Sequence, residues 1–417
     1  MQIAVLGAGV IGLTSAYYLN RAGHQVIVIE RHGEVATETS FGNGGQLSYS
    51  YVAPLAGPGV LSKLPAWLIR RDSPVRFRPS VSREQWLWCL KFVFACTQRR
   101  SNLTTRELLS LSFASRALMH QLLRDEPTLD FDFQHSGKLV LHRDAAAMQA
   151  AINLLNFQRS LGCEQEALSA EECVALEPAL AHVRERIVGG IHTRSEDTAD
   201  CHRFSKGLEA ILRARGVRFA MNTCIDALEV AKGGHIVARS SDGVVEADHV
   251  VVAAGASAAQ LLQPLGLHVP VYPLKGYSLT YPLGPQAVAP TLSVTDFARK
   301  VVYARLGNRL RVAGMADLDG YSLKPDPSRV AALRAEAAAL FPQVVADDVD
   351  AAEWTGLRPA TPQGAPVIGP TRYPNLWLNI GHGALGFTLA SGSAALLTGW
   401  IDGKPDPSLA RLFSLAE

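Results

Sequence analysis

Residues 2–6, QIAVL, are a short apolar run that passes directly into Gly7-Ala8-Gly9-Val10-Ile11-Gly12. Residues 13–22 follow a helical pattern that stops at Gly23, and residues 25–29 are a second apolar run closing on Glu30. This pattern predicts a strand, a tight turn, a helix and a second strand. A dinucleotide needs glycines at these places: Gly7 for the turn, Gly9 for backbone approach to a pyrophosphate, Gly12 for close packing of helix on strand. Val10 and Ile11 open the helix, where unpaired N–H groups and partial positive charge suit phosphates. Glu30 stands where a carboxylate accepts hydrogen bonds from an adenosine ribose, with Arg31 beside it. The motif predicts a bound dinucleotide without separating NAD from FAD.

Further along, residues 217–228 are strand-like, and residues 248–256, DHVVVAAGA, are a buried parallel-strand run ending in a small-residue turn at Ala254 and Gly255. Such a run reads as a return to the first sheet, which makes the nucleotide domain discontinuous. Residues 269–281 and 299–312 alternate apolar and polar positions as antiparallel strands do, and residues 329–340 form an alanine-rich helix. The expected fold is α/β: a discontinuous Rossmann-like domain from 1–52, 192–268 and 351–417, carrying an inserted substrate domain from 53–191 and 269–350. The inserted domain is expected to hold a mixed, largely antiparallel sheet and helices.

Composition narrows the class. The 417 residues exceed what one hydrophobic core ordinarily supports, in keeping with two domains. With 48% hydrophobic and 19% charged residues the chain is a folded protein with an ample core. A net charge of +2 gives no reason to expect nucleic acid. Charge is nonetheless uneven: nine Lys and Arg between Lys63 and Arg100 face two acids, Asp72 and Glu84. Residues 61–100 interleave these bases with Trp67, Trp86 and Trp88. That mixture suits an anionic membrane surface, and it equally suits a helix packed on its own domain with a solvated basic edge. The six cysteines form no CxxC and no metal-like cluster; they read as buried thiols of a reducing compartment, and no metal is expected. A motif beginning at Gly7 leaves no room ahead of it for a signal peptide, and no stretch approaches eighteen uninterrupted apolar residues.

Two more glycine-rich stretches call for an explanation. Thr39-Ser40-Phe41-Gly42-Asn43-Gly44-Gly45-Gln46 is a natural loop whose amides face a ligand or merely turn at the surface. Residues 378–389, LNIGHGALGFTL, wrap Gly381, Gly383 and Gly386 around His382, an entropically expensive arrangement that points to close main-chain approach.

Taken together, GAGVIG with Glu30, ETSFGNGGQ, SEDTADC at 195–201, PVYPLKGYSL at 270–279, WTGLRPATPQGAPVIG at 354–369 and NLWLNIGHGALGFTLASG at 375–392 resemble the catalytic subunits of bacterial D-amino-acid dehydrogenases, within the flavin-dependent D-amino-acid oxidase superfamily. The resemblance covers nearly the whole chain. It implies FAD, oxidation of a D-amino acid by hydride transfer to flavin N5, hydrolysis of the imino acid to a 2-oxo acid and ammonia, and a respiratory quinone as acceptor. An enzyme at the cytoplasmic face of the inner membrane, meeting it through residues 61–100, follows. No cysteine succeeds Cys224, which removes a C-terminal thioether and leaves FAD noncovalent. Carried onto this sequence, flavin contacts are expected from the first motif, Ser40, Gly44, Gly45, Gln46, Leu47, Ile225 by its backbone, Ala254, Gly255, Gly381, His382, Gly383, Gly386 and Thr388. Arg358 of GLRP is expected to fork the substrate carboxylate, Tyr277 to donate a second bond to it, and Tyr49 and Tyr51 to shape the pocket wall. His382 is read as a stabilising donor or a packed residue. SFGNGGQLSYSY departs from the dehydrogenase pattern, which leaves D-proline or 4-hydroxy-D-proline as an alternative substrate; an oxygen-using oxidase and a non-catalytic FAD subunit are the remaining readings.

Overall fold

A computed structural model describes residues 1–61, 73–345 and 350–415. Two sheets organise the chain. In the six-stranded sheet the order is β19 (Val367–Pro370), β20 (Leu376–Ile380), β13 (His249–Val252), β1 (Gln2–Leu6), β2 (Gln25–Ile29) and β9 (Arg218–Ala220). Its neighbours run parallel except β19, which returns antiparallel on β20. Residues 1–6 and 248–252 therefore share a sheet although 240 residues separate them in sequence. Alternation along β1 decides what each face buries. Ile3 and Val5 point into a core with helices α1 (Val10–Arg21), α3 (Gln98–Asp125), α4 (Cys201–Ala214) and α6 (Gly386–Ile401). Ala4 and Leu6 point into a second core closed by a small sheet of β10 (Ile225–Val230), β11 (Ile236–Ser240) and β12 (Gly243–Val245).

The nine-stranded sheet runs β18 (Ala352–Ala360), β14 (Tyr272–Pro282), β17 (Arg309–Leu318), β16 (Val301–Leu306), β15 (Ser293–Asp296), β5 (Lys138–His142), β7 (Gly189–Thr193) and β6 (Gln165–Ser169), with β4 (Val75–Phe77) paired to β17. It is mixed and mainly antiparallel. Helix α5 (Pro327–Leu340) covers one face and α2 (Arg83–Ala95) packs against the other through Trp88 and Phe92. A short pair, β3 (Gln46–Leu47) with β8 (Asp197–Thr198), joins the loop after β2 to the segment before α4.

These elements move two of the expected limits and one helix. Strand β18 lies wholly in the larger sheet, so a border at 351 falls one strand early. Strand β7 likewise crosses the border at 191. Helix α3, within the stretch assigned to the inserted domain, instead buries Leu108, Leu111 and Met119 in the nucleotide-side core. Residues 383–401 have a mean hydropathy of 1.4, long and apolar enough to cross a membrane by length and composition. That helix is packed in the protein core, where Phe387, Leu389, Ala390 and Leu397 are buried.

Candidate dinucleotide and substrate site

A cleft of about 1190 Å³, counting the space open to solvent at its mouth, lies at the carboxyl ends of β1, β2 and β13. The glycines around it divide by what would meet an added Cβ. At Gly12 it would stand 1.9 Å from the Gly7 carbonyl oxygen, and at Gly7 (φ +107°) 2.7 Å from that of Ala253. The protein's own packing demands both. At Gly9 the nearest atom would be Ser40 Oγ at 3.4 Å, and at Gly383 nothing lies within 4 Å. Those two keep bare backbone towards the cleft for a group the chain itself does not supply. The amide of Val10, at the start of α1, donates to Ser40 Oγ at 3.0 Å. Glu30 accepts from the Ala8 amide (2.8 Å) and the His32 amide (3.0 Å), so its carboxylate stands at the cleft floor. A glycine-lined helix N-terminus, a fixed carboxylate and a cleft of this volume fit a dinucleotide such as FAD.

Of the residues expected to touch the cofactor, Gly7, Gly9, Val10, Ile11, Glu30, Arg31, Ser40, Ile225, Ala254, Gly255, His382, Gly383 and Gly386 line this cleft. Others do not. Gly44 and Gly45 face strand β16: added Cβ atoms would come within 2.9 Å of Val302 Cγ2 and 2.8 Å of Leu306 Cδ2. Gly42 likewise lies under the Trp354 ring, 2.0 Å from where its Cβ would be. The second glycine stretch thus answers to side chains some 260 to 310 residues away, and only Ser40 and Asn43 of that stretch, with Thr39 at its start, reach the cleft. Gln46 Oε1 accepts from the buried Lys138 ammonium at 2.6 Å, Leu47 is in the core, Gly381 packs on Thr361 and Val271, and Thr388 Oγ1 accepts from the Ser48 amide at 3.0 Å. The sequence reading missed His32, Glu38, Thr223 and Cys224 in the lining. No local pattern marks them, because β2 and the segment before β10 meet only through the sheet.

His382 is 3% exposed, and its Nε2 has no hydrogen-bond partner. Burial brings its pKa down to about 3, so the ring is neutral at working pH. An isolated bridge joins its backbone to Ala360, which brings the GHG loop against the end of β18. Arg358, two residues before that bridge, lays its guanidinium across Gly276: a Cβ there would meet Cζ at 2.4 Å. It donates to the Met315 carbonyl at 2.7 Å, where a bulge in β17 puts Met315 at φ +61°, and more distantly to the Gly314 carbonyl. Burial lowers its pKa to about 10, opposed by the Asp317 carboxylate, and it stays a cation at neutral pH. Among the described residues no carboxylate lies within ion-pair distance of it.

The three tyrosines are placed otherwise than expected. Register pairs Leu274 with Arg358 and Tyr277 with Thr355, so Tyr277 projects from the opposite face of β14. There its hydroxyl donates to Asp317 Oδ2 at 3.0 Å, in a buried network with Arg76 and Arg329. Tyr49 is enclosed in the nucleotide-side core, and Tyr51 lies beneath the Lys138 ammonium, 4.4 Å from its ring centroid. Neither lines the cleft.

A family model described as DAO, FAD dependent oxidoreductase, matches residues 2–400. The chain is 51% identical to a protein named D-amino acid dehydrogenase 2 from Ralstonia nicotianae, over all of both chains. It is 46% identical to the protein of the same name from Pseudomonas aeruginosa, over 98% of this chain and 96% of that one. Among solved structures, glycine oxidase from Geobacillus kaustophilus superposes with a TM-score of 0.79 at 22% identity, covering 100% of this chain and 98% of the other.

Proposed function

The chain belongs to the DAO family of FAD-dependent oxidoreductases, and from that premise we propose that it oxidises D-amino acids and delivers the electrons to a membrane quinone. FAD, when bound, supplies the two-electron acceptor. The substrate gives up its Cα hydrogen together with that bond's electron pair, and its neutral amine releases one proton as the C=N bond forms; water then hydrolyses the imino acid to a 2-oxo acid and ammonia. The observation that carries the reading is Arg358 near the end of β18, a guanidinium with no acidic partner among the described residues, held by the Met315 and Gly314 carbonyls of β17; it is not itself in the cleft lining, but the next residue, Pro359, is. A planar fork of this kind orients a carboxylate, and orientation is the main task in removing hydrogen from the neighbouring carbon. His382, whose ring is neutral, lines the cleft and offers an uncharged donor there.

Helix α2 supports the membrane acceptor. Gln85, Trp88, Phe92 and Ala95 form its buried stripe, and Trp88 Nε1 donates to the Ala360 carbonyl at 2.8 Å. Its outer face leaves Trp86 (51%), Leu90 (53%) and Phe94 (61%) exposed, flanked by exposed Arg83, Lys91, Arg99 and Arg100. An amphipathic helix with aromatic and aliphatic residues outward and bases beside them suits an anionic bilayer, which on this reading is the cytoplasmic face of the inner membrane. Residues 62–72, which hold Lys63, Trp67, Arg70 and Arg71, lie outside the described residues.

The test is anaerobic reduction of the purified yellow protein, followed by loss of flavin absorbance, with D-Ala, D-Pro, 4-hydroxy-D-proline and L-Ala. Bleaching by D-Ala but not L-Ala, with little peroxide in air and rapid turnover with a soluble quinone, is expected. Faster bleaching by D-Pro moves the substrate to cyclic imino acids. Stoichiometric peroxide overturns the quinone, and no bleaching by any substrate overturns the activity.

A further inference from the structure

Well apart from the lining of the cleft, three segments bring two imidazoles and a carboxylate together. His120 comes from α3, Asp197 from β8, and His135 from the segment held to β8 by the Gln134–Thr198 bridge. Their ligating atoms all lie within 4.8 Å of one another. His120 Nε2 stands 2.8 Å from Asp197 Oδ2, and His135 Nδ1 stands 2.7 Å from Oδ1. The ordinary account is a carboxylate shared by two imidazoles. Three features go beyond it. Asp197 is buried, and among the described residues its ion-pair partners are these two histidines alone. Phe133 meets both rings edge-on, at 5.9 and 5.0 Å between centroids, and packs the pair together. Tyr49 is fully buried with its ring edge-on to His120; burial first, and then the neighbouring Asp197 carboxylate, hold its hydroxyl in the protonated form.

We propose that His120, His135 and Asp197 form a binding site for a divalent transition-metal cation of the zinc class, with the Tyr49 hydroxyl as a further oxygen and solvent completing the shell. Two imidazoles, one carboxylate and an open position make a donor set that zinc takes readily. Bonds of about 2.0–2.2 Å to nitrogen and oxygen require ligand atoms somewhat over 3 Å apart, so the two short contacts open by about half an ångström. His135, 70% exposed in its side chain, is free to make that adjustment. Each ring ligates through its inward nitrogen once the N–H sits on the outward one, so neutral imidazoles lose no net proton. Because β8 pairs with β3, the bound cation ties α3 to the strand that follows the loop bearing Ser40 and Asn43. The site is independent of the reaction proposed above.

The experiment is a titration of chelator-stripped, tag-free, FAD-loaded protein with Zn²⁺ by calorimetry, alongside His135→Ala and His120→Gln, with Co²⁺ as an optical probe. One Zn²⁺ per chain, at least tenfold weaker in both variants, a higher melting temperature in the wild type alone and ligand-field bands of a four- or five-coordinate Co²⁺ are expected. His135→Ala replaces an exposed side chain, so it keeps the fold and its turnover without zinc, and retains the comparison should His120→Gln fold poorly. Equal binding by wild type and His135→Ala, through other groups, overturns the proposal, as does no binding.

Discussion

Arg358 and Tyr277 sit on paired strands, three register positions apart and on opposite faces, and make opposite forecasts. Arg358→Lys keeps a charge but loses the fork. It should lower kcat/KM by roughly ten- to a hundred-fold, about 1.5–3 kcal/mol for one charged hydrogen bond, with flavin content unchanged by absorbance. Tyr277→Phe removes a bond to buried Asp317, which keeps Arg76 and Arg329. It should cost about 1.5 kcal/mol in urea unfolding and leave KM for a D-amino acid unmoved. A raised KM would return Tyr277 to the substrate. KGYSL put Tyr277 forward as a substrate contact, but which face it takes depends on pairing with β18, and a strand turns over its faces with each residue.

Caps and ion pairs set what single elements withstand. Asp326 caps α5, accepting from the Ser328 amide at 2.9 Å, and pairs with Arg76 and Arg78. The Ser328 hydroxyl, then Arg76, hold its carboxyl well below the ordinary 3.8. A carboxyl depressed in the folded state contributes its stability above the unfolded value and loses it as pH falls through the folded one. Asp326→Asn retains the cap and drops the charge. At pH 7 it should be less stable by roughly 1 kcal/mol, and the gap to wild type should close as unfolding is followed below pH 3.8. A gap that stayed constant with pH would assign the loss to packing. A helix packed on its own domain was one of two readings of residues 61–100; which residues form its buried stripe, Gln85, Trp88, Phe92 and Ala95, and which apolar residues of α2 stay outside came only with the packing.

At the scale of the molecule, α2 joins the strand that carries Arg358 to an apolar surface. The double change Leu90→Asp and Phe94→Asp should move the enzyme from vesicles containing anionic lipid into the supernatant. Turnover with a soluble quinone should stay within about twofold, while turnover with a bilayer-bound quinone should fall at least tenfold. Equal sedimentation of variant and wild type would remove the helix from the membrane. The added charges are outward and leave Trp88 and Phe92 in place, so their effect on stability should be within about 0.5 kcal/mol.

The sequence by itself determined what short-range sterics and periodicity control: β1, the Gly7–Gly12 turn, α1, β2 and Glu30 at its end. It also carried the resemblance that named the cofactor. Tertiary structure alone decided which glycines face the cleft and which lie beneath Trp354 and Leu306, and that Tyr49 is core. It also put Tyr277 behind its sheet and brought His120, His135 and Asp197 together. Each of those outcomes rests on a contact between distant segments, whose register and packed faces no local pattern specifies.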